Sequence, residues 1–75
     1  SVIYDPASAI ATIRGVAPNQ RVYLRNVLGQ DLGSWTVRSN TIDVPLANFA
    51  VGPMLLSVQS AQGEVVFFQK VMVVD

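Results

Sequence analysis

The side chains that could do chemistry in this sequence are few and scattered. Five carboxylates, Asp5, Asp31, Asp43, Glu64 and Asp75, stand apart from one another. None shows the alternating spacing of a calcium loop, and carboxylate catalysis would need two of them to meet in space. There is no histidine, the usual proton carrier near neutral pH, and no cysteine. Metal sites built on those two residue types are therefore excluded. Ser8, Ser34, Ser39, Ser57 and Ser60 have neither a base to activate them nor an elbow motif around them. Lys70 lies in an apolar run and reads as a solvated lysine with its stem along apolar surface. Gly15, Gly29, Gly33, Gly52 and Gly63 do not form a phosphate loop and fall where strands end. Trp35, Tyr4 and Tyr23 would make a sugar platform only if exposed in a row; core and cross-strand packing fits them better. The expectation is a protein that is not an enzyme, with no catalytic, cofactor or metal residues and no small-molecule substrate.

What positions so little chemistry must be a small fold. Seventy-five residues make one domain, spanning 1–75. A domain of this size buries only roughly 60% of its unfolded surface, and many add a disulfide or a metal. Neither staple is available here. The compensation is composition: 51% of residues are hydrophobic and only 13% charged, enough to fill a core unaided. Five basic and five acidic residues are scattered singly, and the net charge is zero. Without a basic stripe to neutralise phosphates, nucleic acid is excluded as a partner. The apolar runs fall short of the ~20 residues of a membrane-spanning helix. The chain does not begin with Met and shows no leader pattern, so it reads as a piece of a larger exported protein.

Short apolar-rich runs cut by turn residues predict an all-β fold. Val2-Ile3-Tyr4 is a first strand, ended by Asp5-Pro6, and Ala9 to Arg14 a second. Gly15 to Gln20 turns the chain. Arg21 to Asn26 alternates, with Val22 and Leu24 inward and the arginines outward. After the bend at Gly29, Gln30 to Val37 is the hairpin partner, carrying Leu32 and Trp35. Thr41 to Val44 is a short strand ended by Pro45, which lacks a donor. The loop from Pro45 to Val51 plugs one end of the core with Leu46 and Phe49, with room for one helical turn near Ala47-Asn48. Met54 to Gln59 and Glu64 to Val74 flank a hairpin turn at Ala61-Gln62-Gly63. About seven antiparallel strands, with turns roughly every 8–12 residues, predict an immunoglobulin-like β-sandwich.

The last strand is apolar on both faces. Alternation places Val65, Phe67, Val71 and Val73 on one side and Val66, Phe68, Met72 and Val74 on the other. Such a strand is either covered twice, by the core and by a lid loop, or offers one side to a partner.

Four segments, in order, resemble one family. Ile3-Tyr4-Asp5-Pro6-Ala7 is similar to an opening of apolar residue, Tyr, Pro-Asn-Pro and Ala, with Asp5-Pro6 standing for Pro-Asn-Pro. Val22-Tyr23-Leu24-Arg25-Asn26-Val27-Leu28-Gly29-Gln30 resembles a strand with a Leu-Gly-Gln bend. Thr41-Ile42-Asp43-Val44-Pro45-Leu46, then Gly52 and Leu55-Leu56-Ser57-Val58, resembles an Ile-Asp-Val…Leu…Gly-x-Tyr-Leu-Leu region, with Gly52-Pro53-Met54 in place of Gly-x-Tyr. Lys70-Val71-Met72-Val73-Val74 resembles a terminal Lys with a valine-rich end. The family is the C-terminal sorting domain of cargo for the type IX secretion system of Gram-negative bacteria.

The resemblance implies a folded address label. The parent crosses the inner membrane by its own leader. The label is then recognised in the periplasm and directs passage through the outer membrane, to the cell surface or beyond. The implied partners are the outer-membrane shuttle and translocon and a sortase-like cysteine protease. Gly52, Lys70, Val71, Met72, Val73 and Val74 are the expected recognition residues, and Pro6 and Gly29 the family's turn motifs. An edge at the last strand also predicts homodimers by strand exchange. The competing expectation is an immunoglobulin-like accessory module that binds carbohydrate or protein on a surface protein.

Overall fold

The computed structural model describes residues 1–49 and 51–73, and over them the chain is all β. Seven strands run in order: β1 Val2–Asp5, β2 Ile10–Arg14, β3 Arg21–Asn26, β4 Asp31–Thr36, β5 Thr41–Pro45, β6 Gly52–Gln59 and β7 Val65–Val73. They form a three-stranded sheet, β1-β2-β5, and a four-stranded sheet, β4-β3-β6-β7. Every pairing is antiparallel. The fold is an immunoglobulin-like sandwich in which the fourth strand joins β3, rather than lying beside β5 as in the antibody constant arrangement.

Period-two alternation decides which residues meet between the sheets. Ala11 and Ile13 of β2 and Val44 of β5 come from one side; Val22, Leu24, Met54, Leu56, Val58, Val71 and Val73 come from the other. Val16, Val37 and Leu46 seal the core from the connections. The fully buried side chains are aliphatic. Trp35 and Phe49 pack against the core's flank, edge to face, with ring centroids 6.5 Å apart at 81°. Gly33 makes room for the indole, because a Cβ there would meet the Trp35 ring at 3.0 Å.

Several boundaries differ from the sequence expectation, each for a local reason. Ala9 has φ +55° and cannot begin β2. Pro45 is still paired, opposite Ile10, at the last position of β5 on an open edge where a missing donor costs little. The residues near Ala47-Asn48 form a turn, with Phe49 N–H donating to Leu46 C=O at 3.1 Å, and no helix. Both edge strands of the larger sheet carry a bulge: Leu32 is the extra residue in β4 and Val66 in β7. The second bulge overturns one assignment. Val65 pairs with Gln59 while Phe67 pairs with Val58, so Val65 falls on the outer face, exposed, and not beside Phe67.

Because this core has no covalent staple, truncating its centre should be costly. Leu56→Ala and Leu24→Ala are each expected to lose about 2–5 kcal/mol in urea denaturation, whereas Leu28→Ala, at an exposed turn, should change stability by less than about 0.5 kcal/mol.

Candidate functional site

Register brings the turn motifs together at one end of the sandwich. β3 ends at Asn26, opposite Met54, which is opposite Val71; Gly52 then faces Val73. In the other sheet Asp5 faces Ile10, which faces Pro45. The β1–β2 turn with Pro6, the β3–β4 turn with Gly29, the crossover into Gly52 and the end of β7 therefore share one pole. The opposite pole holds Gly15–Gln20, Val37–Asn40 and the β6–β7 hairpin.

Each of these turns has its own fastening. In the β1–β2 turn the Asp5 carboxylate accepts from Ala7 N–H at 3.0 Å and from the Ser8 hydroxyl at 2.9 Å. Leu46 N–H donates to Ala9 C=O at 2.8 Å, tying this turn to the crossover. In the β3–β4 turn the Asn26 side-chain carbonyl accepts from Leu28 and Gln30 N–H, both at 3.0 Å, and its amide donates to Gln30 Oε1 at 2.8 Å. Gly29 closes this turn with φ +85°, a backbone state in which an L side chain is strained. The turn thereby displays Val27 and Leu28 outward, the latter 82% exposed.

β7 splits the expected recognition residues between two faces. Val71 and Val73 point into the core and are buried. Lys70 and Met72 point outward and are exposed. Val74 lies outside the described residues. Val66 and Phe68 join the outward stripe, with Phe68 60% exposed, although the recognition set read from the sequence did not include them. Their signal is the alternation itself, upstream of the Lys-Val motif.

The edges of the two sheets are not equivalent. β1 has four residues, and β5 carries Asp43 and Pro45. β4 is bulged and polar on its outer face, with Asp31, Ser34 and Thr36. β7 spans nine residues, pairs only with β6 among the described residues, and bears Lys70 as its single charge. Nature usually blunts an edge with shortness, charge, proline or a bulge. β7 has one lysine and one bulge.

The described carboxylates that find partners serve structure. Asp31 pairs with Arg25, whose guanidinium also lies over the Tyr23 ring at 5.3 Å. Asp43 accepts from the Thr12 hydroxyl at 2.8 Å across the β2–β5 pair. The aromatic residues are dispersed: Tyr4 is in the smaller sheet, Trp35 faces inward, and Tyr23 and Phe68 face outward. An open depression of about 240 Å³ on the outer side of β3–β4 is lined by Tyr23, Asp31, Leu32, Gly33 and Ser34. Ser57 sits between Tyr23 and Phe68 in register, yet is only 4% exposed, and its hydroxyl has no hydrogen-bond partner among the described residues.

Comparison with known proteins finds no family model, no curated protein and no solved structure that matches this chain.

Two substitutions separate turn geometry from packing. Gly29→Ala should cost about 1–2 kcal/mol, the penalty of a left-handed L residue, measured by denaturation. Ser57→Ala removes a buried hydroxyl without a partner and should raise stability by about 1 kcal/mol in the same assay.

Proposed function

We propose that this domain is a non-catalytic C-terminal secretion signal. It directs its parent protein across the outer membrane by the type IX secretion system, for attachment at the cell surface. The observation that carries the reading is β7: a long, weakly guarded edge strand bearing an outward stripe of Val66, Phe68, Lys70 and Met72. An edge of this kind can be recognised by strand addition. The partner's backbone pairs with the free rim, and alternate side chains supply selectivity. Val71 and Val73 contribute by holding β7 onto the core, so that Lys70, Met72 and Phe68 are presented at fixed positions.

Support also comes from the resemblance of the turn motifs to sorting domains, and from the register that places Pro6, Gly29 and Gly52 at the pole where β7 ends. The domain is recognised in the periplasm by the outer-membrane shuttle or translocon, with the sortase-like protease acting later on the parent. An accessory carbohydrate-binding role has less behind it, since Tyr4, Trp35 and Tyr23 do not form a row.

The test is a fusion of these 75 residues to an inert exported reporter in a host with the type IX machinery. The intact fusion should reach the surface. The pair Phe68→Asp and Met72→Asp changes only exposed side chains and should leave the reporter in the periplasm, as should deletion of Lys70 to Asp75. Surface delivery of the double variant at the level of the intact fusion would refute the docking role of the stripe.

A further inference from the structure

The same edge is complementary to itself. We propose that two copies of this domain pair β7 against β7, antiparallel, about a two-fold axis at Gln69, joining two four-stranded sheets into one of eight. Each β7 stays on its own β6, so nothing is exchanged. The contact is isologous, with one patch used twice.

The register follows from which side chains would face each other. In a two-fold antiparallel pair, directly opposed residues lie on the same face of the sheet and their side chains interact. Centred on Lys70, the pairing sets ammonium against ammonium. Centred on Phe68, it brings the bulged Val66 into the paired stretch, opposite the partner's Lys70. Centred on Val71, it sets the Gln69 amide against the partner's Val73, which offers no hydrogen-bond partner. Centred on Gln69, these conflicts fall away. Phe68 faces the partner's Lys70, an aromatic ring beside an ammonium and its alkyl stem. Phe67 faces the partner's Val71, while Met72 and the bulged Val66 lie beyond the paired stretch. Gln69 faces its own copy, and each amide carries both a donor and an acceptor.

Exposure along β7 agrees with this register. Phe68, Met72 and Val66 are exposed on the outer side, and Phe67 is half-buried and Gln69 exposed on the inner side. Five central residues, Phe67 to Val71, would pair, and the bulge at Val66 would bend the strands apart beyond them. The occupant is a second copy because the edge is apolar with a single charge, and this register sets that charge against an aromatic ring. The inference stands on the edge alone and is assayed with purified domain. The transport reading is assayed by where a reporter goes, so either can fail without the other.

The chain has no cysteine, which makes the register readable by single-cysteine crosslinking. Opposed Cα atoms in an antiparallel pair lie about 4.5–5.5 Å apart, within the range a disulfide spans. Gln69→Cys alone should form a linked dimer under mild oxidation at least about tenfold faster than Phe68→Cys or Lys70→Cys alone, because their diagonal separations are roughly 7–8 Å. A mixture of the last two variants should give the mixed dimer. Gln69→Lys should weaken self-association by about two- to fivefold through like charges directly opposed. Sedimentation of the unmodified domain should show a monomer–dimer equilibrium. A strict monomer up to about 1 mM overturns the proposal, and so does fastest crosslinking at any position other than 69.

Discussion

Burial of aliphatic side chains between two sheets of unequal width is the interaction on which this domain depends. No disulfide is present, and the core residues are Ala, Val, Ile, Leu and Met without a fully buried ring. A three-stranded sheet cannot cover all of a four-stranded one. The consequence is visible along β7. Its end, Val71 and Val73, is buried, while Phe67 is half-covered and Gln69 is exposed on the same inner side. The last strand is thus anchored at one end and only partly roofed at the other.

That mismatch also explains why the edges differ in chemistry. β4 turns its outer side to water with Asp31, Ser34 and Thr36, and the Arg25–Asp31 pair ties it to β3. The bulges in β4 and β7 break strict pairing where the central strands meet their neighbours. What remains beside β6 is a rim with little charge and several apolar side chains. A free strand edge offers unmet backbone donors and acceptors, so it favours any segment that can complete the ladder. Transport machinery and a second copy of the domain are both proposed to use this same rim.

The pole where β7 ends gathers residues that are distant in the chain. Pro6 and Gly29 lie in two different connections and Gly52 opens β6, and only the Greek-key path of the strands sets them at one pole. Their turns are fastened by short-range hydrogen bonds accepted by the Asp5 and Asn26 side chains and by the Leu46–Ala9 backbone bond. A pole built this way holds its shape through local chemistry, while its position relative to β7 depends on the core.

Alternation and turn residues by themselves determined that this chain forms seven antiparallel strands around an aliphatic core, because period two and left-handed glycines are local properties. Val22, Leu24 and Leu46 were legible in that way, as were the turns at Gly29 and Gly63. Strand breadth near a bulge was not: Val65 reads as a partner of Phe67 until an extra residue, accommodated only by pairing with β6, turns it outward. Which of β7's two apolar faces would be buried, and that its far side would be an open rim, were decided by the tertiary structure. Those outcomes depend on how many strands the opposite sheet contributes, and long-range pairing, not local sequence, sets that number.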